Sequence, residues 1–410
     1  MKKSNFNYKY SSVFGVFWLL CIVVGHGQGF RQSPLDSLYT HYERSISNKT
    51  LAGVEALLIL NDSIVWHQVQ GLADVAAKTP LQTNSIYYIQ SMTKPIISVA
   101  IMQLVERGLL ALDDPIEMYI PEAKGLLVAK NPDLGLDSPT RKVNRSLTIL
   151  DLLTHTSGLS HGLGESKLDQ QLFKALYDET LNYRSHNSLE DRVTTLLSFP
   201  LVAQPGTEWY YSAGADILAL ILQRVSKQSI PTYLKTNIFE PLDMHDTGYN
   251  LNELQSRRVM KLHSRNERNT VKRHEQQVPT SGNTIYGGTH GLFSTASDYA
   301  QFCLMILHNG TWNGAQILKS DTVKNIRTNH TADLYNEEGA GFGLGFSVIS
   351  IPEKMNRPGG VGQLQWGGYF STYFFIDPEK KAIGIILTQQ MPGGEDINTP
   401  FQNNVYRALN

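Results

Sequence analysis

The run from Ser91 to Val105 reads Ser-Met-Thr-Lys-Pro-Ile-Ile-Ser-Val-Ala-Ile-Met-Gln-Leu-Val and is the most informative segment of the chain. Its apolar residues recur at helical spacing, which predicts a helix over residues 91–107. A proline within a helix clashes with the carbonyl four residues earlier, here that of Ser91. Pro95 is therefore tolerated only if Ser91 lies at the very first turn. Because residues three apart share one helix face, the Lys94 amine can reach the Ser91 hydroxyl.

This arrangement suits nucleophilic catalysis. A serine hydroxyl is a poor nucleophile until a base takes its proton, and a lysine acts as that base only when burial or a nearby cation keeps it neutral. The free N–H groups at a helix start also favour developing negative charge, as an oxyanion hole requires. Ser-x-x-Lys alone is a weak pattern, however, so the assignment of Ser91 and Lys94 needs support from the rest of the chain.

Two further segments carry chemistry. Residues 205–213 read Pro-Gly-Thr-Glu-Trp-Tyr-Tyr-Ser-Ala, a turn signal followed by a loop that presents the phenols of Tyr210 and Tyr211. Residues 365–369 read Gln-Trp-Gly-Gly-Tyr and are predicted to open a strand that ends at Asp377. The paired glycines there allow a ligand to approach the backbone closely.

Together these segments resemble the β-lactamase-related, penicillin-recognising serine hydrolases, which include class C β-lactamases, carboxylesterases and D-amino-acid peptidases. Six segments carry the resemblance in the same order: 91–94, 147–159, 205–212, 287–294, 341–346 and 366–368. The resemblance implies that Ser91 is the acylated nucleophile, Lys94 its base and Tyr211 a proton shuttle to the leaving group. It also implies an oxyanion hole formed by the N–H groups of Ser91 and Tyr369.

Two departures from the lactamase pattern bear on the substrate. Ala213 replaces the asparagine of Tyr-x-Asn and cannot hydrogen-bond an amide side chain. Trp366 stands before Gly367 and Gly368 where the lactamases have a lysine, so the cation that pairs with a substrate carboxylate is replaced by an apolar surface. The pattern is similar to the esterase-type members and favours hydrolysis of an uncharged ester. A β-lactamase or D-amino-acid peptidase acting on amides, and a non-catalytic acyl-binding sensor, are the alternatives.

Gly158-Leu159-Ser160-His161-Gly162 fits the G-x-S-x-G elbow of the α/β-hydrolases. An elbow follows a strand and opens a helix, whereas the preceding segment 147–154 is predicted to be helical, so Ser160 is rejected as nucleophile.

The remaining polar candidates are given structural roles. We expect His155 and His290 to be hydrogen-bonding residues of the scaffold. Tyr210 is expected to point away from the site, and Asp216 to cap or charge the start of its helix.

The fold class predicted is α/β, of the β-lactamase/transpeptidase-like type: an antiparallel sheet from both chain ends, flanked by helices, with an inserted helical lobe and the site in the cleft between lobes. Strands are predicted at 54–60 and 63–69 around an Asn-Asp turn, and at 343–350, 368–377 and 381–388. Helices are predicted at 91–107, 147–154, 188–197, 216–226 and 297–307, and irregular connections at 162–183 and 257–277.

Composition limits the function further. The net charge of -1 and pI near 6.9 give no footprint for nucleic acid. The 12 histidines include no metal-ligand spacing, and no cofactor motif occurs, so neither a metal nor a cofactor is expected. The predicted partner is a small-molecule ester or amide.

The first residues predict export. Three lysines precede an apolar run over 13–24, which is followed by Gly-His-Gly at 25–27. This is typical of a signal peptide over 1–27, leaving a hydrolase domain over 28–410 that is periplasmic or secreted and has no stable membrane partner. The run is shorter than the roughly 20 residues that span a bilayer. Cleavage leaves Cys303 as a lone thiol, so no internal disulfide is expected.

Overall fold

The computed structural model describes residues 30–177 and 181–409, so the predicted signal peptide lies outside the described residues. The helices of this part are Ser33–Ser47 (α1), Thr93–Glu106 (α2), Ile149–Thr154 (α3), Lys167–Tyr177 (α4), Leu189–Ser198 (α5), Gly214–Ser226 (α6), Ile230–Leu234 (α7), Glu253–Ser256 (α8), Ala296–Leu307 (α9), Ser320–Ile326 (α10) and Asn398–Leu409 (α11). Within the same ranges, no helix has the length and apolar character that crossing a membrane requires.

The strands are Gly53–Leu60 (β1), Ser63–Asp74 (β2), Thr79–Pro80 (β3), Tyr87–Tyr88 (β4), Leu127–Ala129 (β5), Thr140–Lys142 (β6), His263–Arg265 (β7), Val271–Arg273 (β8), Phe293–Ser294 (β9), Thr311–Trp312 (β10), Ala315–Gln316 (β11), Ala340–Phe342 (β12), Ser347–Ile349 (β13), Leu364–Gly368 (β14), Thr372–Asp377 (β15) and Ala382–Leu387 (β16).

The main sheet has eight strands in the order β12-β13-β14-β15-β16-β1-β2-β3, and neighbouring strands are antiparallel. Strand β1 pairs with β16, so the two ends of the chain meet in the middle of the sheet. Asn61 and Asp62 both have positive φ, as a two-residue hairpin turn between twisted strands requires. The predicted antiparallel sheet built from both chain ends is confirmed.

Helices cover both faces of this sheet. Successive side chains of a strand point to opposite faces, so each face has its own set of buried side chains. On β1, Ala56 and Leu58 belong to a buried cluster with α1 and α11, whereas Leu57 and Ile59 belong to the larger cluster that includes α2 and α9. The inserted helical lobe contributes to this larger cluster, and its α6 packs against α2, α3 and α5. Helix α2 therefore packs against the lobe, and the turn that leads into it, Gln90–Met92, packs against β14 and β15.

Three local predictions were wrong. The segment predicted as irregular at 162–183 contains α4, whose Leu168, Leu172 and Leu176 are buried at a spacing of four residues. The other segment predicted as irregular, 257–277, contains the short β7–β8 hairpin. The strand predicted over 368–377 is two strands, β14 and β15, joined by a turn in which Ser371 has positive φ.

Candidate active site

Ser91 lies in a short 3-10 turn, Gln90–Met92, that leads directly into α2. Pro95 is the third residue of α2, so its missing N–H falls in the first turn, where no partner within the helix is needed. Gln90 has φ +49°, a left-handed conformation that is strained for a residue with a Cβ. The expectation that Ser91 stands at the very start of its helix is confirmed.

Lys94 is buried and directed at Ser91. Its Nζ lies 3.2 Å from Ser91 Oγ and donates to the Thr289 carbonyl at 3.0 Å. Burial lowers the pKa of Lys94 to about 7; the charge of Asp216 opposes this shift and that of Arg192 adds to it. A large fraction of the amine is therefore neutral near pH 7 and has a lone pair for the serine proton.

Tyr211 approaches Ser91 from the loop before α6. Its hydroxyl donates to Ser91 Oγ at 2.8 Å, and its ring lies 4.7 Å below Lys94 Nζ. Burial raises the pKa of Tyr211 further above its ordinary value, so the phenol keeps its proton at any physiological pH. The structure thus brings Ser91, Lys94 and Tyr211 together.

Asp216 and Arg192 form a buried ion pair behind this group. Asp216 lies in the first turn of α6 as expected, but its side chain does not cap the helix. It binds Arg192 Nε at 2.7 Å and accepts from the N–H groups of Gly288 and Thr289 at 2.9 and 2.8 Å. Burial alone raises the pKa of the Asp216 carboxyl, but the Arg192 guanidinium outweighs it and the pKa is about 2. Asp216 thereby fixes the segment whose carbonyl holds Lys94.

The end of β14 forms the opposite wall. A Cβ on Gly368 would lie 2.5 Å from the carbonyl oxygen of Ile89 and 2.2 Å from Thr372 Oγ1, so only glycine fits against the backbone that leads to Ser91. Tyr369 follows it directly and lines the same cavity as Ser91. The side chain of Tyr369 is 43% exposed.

These walls enclose a cavity of about 510 Å³ that is predominantly apolar. Ser91, Tyr211, Trp366, Gly367, Gly368 and Tyr369 line it, with Gln90, His161, Leu163, Phe173, Tyr177, Leu181, Trp209, His290, Phe370 and Met391. Ala213 is not among the lining residues. It is fully buried, and its carbonyl accepts from Thr289 Oγ1 at 3.2 Å.

The rejected candidates have other partners. Ser160 is buried and donates its hydroxyl to Asp169, which also accepts from Tyr210 at 2.8 Å. Tyr210 thus points away from Ser91, as expected. His155 Nδ1 lies 3.0 Å from Ser212 Oγ and accepts from the Ser212 N–H at 3.3 Å, so His155 holds the loop that carries Tyr211.

Two histidines on the cavity wall were not predicted to be part of the site. His161 stacks on Tyr211 at 5.1 Å between ring centroids, and its Nδ1 lies 2.8 Å from the Tyr177 hydroxyl. His290, expected to be a scaffold residue, also faces the cavity. Burial lowers the pKa of both imidazoles, that of His290 to about 3, so both rings are neutral. In the sequence His290 lies in one of the six segments and His161 in the Gly-x-Ser-x-Gly pattern, but neither pattern indicates a place in the cavity for its histidine.

Comparison with known proteins agrees with this geometry. The family model described as Beta-lactamase matches residues 39–405. The chain belongs to the β-lactamase family. The predicted family, the fold of that family and the predicted class of enzyme, a serine hydrolase, are therefore confirmed.

Individual relatives also match over most of the chain. Protein Rv1367c of Mycobacterium tuberculosis (strain H37Rv) is 30% identical over 356 residues, which cover 83% of this chain and 86% of that protein. Esterase EstB of Burkholderia gladioli is 26% identical over 367 residues, covering 84% and 86%. Among solved structures, EstCE1, a hydrolase with promiscuous acyltransferase activity, superposes with a TM-score of 0.73 at 20% identity, covering 92% of this chain and 98% of EstCE1.

Proposed function

We propose that this β-lactamase-family chain is an esterase that acts on apolar, uncharged esters through an acyl-enzyme on Ser91. One observation carries the proposal: Lys94 Nζ and Tyr211 Oη both lie within hydrogen-bonding distance of Ser91 Oγ, at 3.2 and 2.8 Å, on the wall of an apolar cavity. A nucleophile, a base and a proton donor in one cluster are the groups that acyl transfer needs.

In the proposed reaction, neutral Lys94 takes the Ser91 proton as Oγ attacks the ester carbonyl. The N–H groups of Ser91 and Tyr369 stabilise the negative charge on the carbonyl oxygen. As the bond between the acyl carbon and the alkoxy oxygen breaks, Tyr211 gives its proton to the departing oxygen and regains one from Lys94. Water then attacks the acyl-enzyme, one of its protons returns to Ser91, and the acid leaves. An alcohol in place of water would yield a new ester from the same intermediate.

The residues that line the cavity favour an uncharged substrate over a charged one. No lysine, arginine, aspartate or glutamate lies among its sixteen lining residues in the described part of the chain. Its two imidazoles are neutral, and Trp366 occupies the place of the lactamase cation. A substrate carboxylate would lose its hydration here without gaining a counter-charge. Esterase EstB, named for the activity proposed here, is among the relatives.

Covalent labelling tests the nucleophile. A fluorophosphonate probe should attach to Ser91, mapped by mass spectrometry, and the adduct should disappear in Ser91→Ala. Ser160→Ala is the matched control and should be labelled like the wild type, since its hydroxyl is bound to Asp169. An adduct on Ser160, or a folded protein with no adduct, would overturn the proposal.

Substrate profiling tests the ester preference against the amide-hydrolysing alternative. We expect kcat/KM for nitrophenyl esters of short aliphatic acids to exceed that for cephalosporins by about 100-fold or more, because the carboxylate of a cephalosporin finds no cation in the cavity. The opposite order would identify a β-lactamase instead.

We also propose that the chain is exported, on the basis of residues 1–27 alone. The intact mass of the protein isolated from its source should correspond to a chain that starts near residue 28. A retained N-terminus would contradict cleavage.

A further inference from the structure

The wall of the cavity holds polar atoms that have no hydrogen-bond partner in the described part of the chain, and Nε2 of His290 is one of them. The His290 ring is 4% exposed and lines the same cavity as Ser91, yet among the described residues no group lies within hydrogen-bonding distance of its Nε2. A buried polar group left unpaired lowers stability, so such an atom in a well-packed region calls for an explanation.

The ring itself is firmly held. Its Nδ1 lies 2.8 Å from the Tyr88 hydroxyl, and its plane stacks on Tyr183 at 4.1 Å between centroids and 8° between planes. Tyr183 is in turn anchored, because its hydroxyl donates to Asp216 at 2.8 Å and accepts from the His290 backbone N–H at 3.0 Å. The direction of Nε2 is therefore fixed by contacts on the ring's other side.

The same contacts settle which nitrogen carries the proton. Within the described part of the chain, Nδ1 is the one acceptor within reach of the Tyr88 hydroxyl. Tyr88 therefore donates to Nδ1, and the ring proton sits on Nε2. Burial lowers the pKa of His290 to about 3, so the ring stays neutral at physiological pH. The wall of the cavity thus holds an uncharged N–H donor that has no partner in the described part of the chain.

This donor lies in an otherwise apolar region. Tyr211 is hydrogen-bonded to Ser91, and His161 is hydrogen-bonded to Tyr177. Trp209 contributes a second N–H without a partner among the described residues. The Trp366 ring lies beside Tyr211, with 5.5 Å between the ring centroids. His290 also follows Thr289, whose carbonyl holds Lys94, so its position is tied to the reacting centre.

We propose that His290 is a specificity residue that donates a hydrogen bond from Nε2 to an acceptor oxygen of the substrate other than the scissile ester, such as an ether or ketone oxygen on an otherwise apolar ester. This inference rests on the proposed esterase function. A site built around a buried donor discriminates against an analogue without the matching acceptor, since that analogue leaves the donor unpaired.

Two series of esters test the proposal. In one, the acyl chain of a nitrophenyl ester carries an ether oxygen in place of one methylene at successive positions. In the other, the ether oxygen is in the alcohol part of an alkyl hexanoate. Each ester is compared with its all-methylene analogue, and the readout is the ratio of the two kcat/KM values. We expect the wild type to prefer one ether about three- to tenfold, and the series in which this occurs tells which part of the ester contacts His290.

His290→Phe keeps a flat ring but removes the donor, so its ratio should fall to 1 or below. A general loss of activity cancels in the ratio. Met391→Leu is the matched control, because Met391 lines the same cavity without a donor and its replacement should retain the preference. If His290→Phe does not fold, Tyr88→Phe replaces it: the proton is then free to move to Nδ1, and the ratio should fall by at least half.

A wild-type ratio near 1 in both series, or an unchanged ratio in His290→Phe, would overturn this inference. Ser91-dependent hydrolysis of the all-methylene esters would still leave the esterase proposal standing. Absence of both hydrolysis and Ser91 labelling would remove both.

Discussion

The two groups that contact Ser91 Oγ hold their protons very differently. Burial lowers the pKa of Lys94 to about 7, whereas the same burial raises that of Tyr211. An amine is charged when protonated and a phenol is charged when deprotonated, so a dry site favours the neutral form of each. The resting site therefore pairs a neutral base with a neutral acid, and this assigns Lys94 the serine proton and Tyr211 the proton of the departing alcohol.

This contrast predicts the pH dependence of hydrolysis. Activity requires neutral Lys94, so kcat/KM should fall about tenfold per pH unit below about 7 and reach a plateau above it. The profile can be measured from pH 5 to 9 with a nitrophenyl butyrate. Burial holds the pKa of His161 well below its ordinary value and lowers that of His290 to about 3, so neither imidazole supplies a transition near pH 7. A rate that stays constant through pH 7, or declines with rising pH, would contradict Lys94 as the base.

At the scale of elements, α4 connects the helical lobe to the cavity. Its leucines at 168, 172 and 176 face the core, while Phe173 and Tyr177 reach the cavity wall. Three polar residues at 169–171 separate Leu168 from Leu172, and the surrounding segment is of mixed composition, so the four-residue spacing of the leucines does not stand out. The helix was therefore missed, and with it much of the surface that a substrate would contact.

Shortening Phe173 should change selectivity for chain length. Phe173 is 40% exposed at the cavity mouth, so Phe173→Ala removes apolar contact without emptying the core. We expect kcat/KM for nitrophenyl octanoate to fall about three- to tenfold relative to nitrophenyl acetate. Lys174→Ala, the neighbouring exposed position on the same helix, should leave the ratio unchanged. Equal ratios in both variants would mean that α4 does not contact the substrate.

For the molecule as a whole, local patterns were readable from sequence and distant contacts were not. Pro95 fixed the start of α2, and the Asn61-Asp62 turn fixed a hairpin, because each rests on residues adjacent in the chain. The segment order identified the family. The contact of Asp216 with Gly288 and the position of His290 depend on folding across about 70 and 200 residues. No pattern within one segment records such a contact.

Arg192 makes a further contact between separate segments, a buried ion pair with Asp216, and we expect this pair to matter for stability. Its guanidinium joins Asp216 on α6 to the Leu176 carbonyl on α4 and lies against the Tyr183 ring at 4.6 Å. Arg192→Met would leave the Asp216 charge buried and uncompensated, so the free energy of unfolding should fall by about 3–5 kcal/mol in urea titrations. Arg257→Met removes an exposed pair with Glu253 and should cost no more than about 0.5 kcal/mol. Equal losses in the two variants would show that the buried pair is not structurally important.

The pairing of β1 with β16 also determines when the main sheet can be completed during synthesis. A ribosome releases β1 among the first strands and β16 only at residues 382–387 of 410, yet the two are neighbours in the sheet. The backbone N–H of Arg31 even donates to the carbonyl of Ala408 at 2.9 Å. Through most of its synthesis the nascent chain therefore has an open edge on β1, a surface prone to pairing with other chains. Completion of the sheet therefore waits until β16 has been made, long after β1.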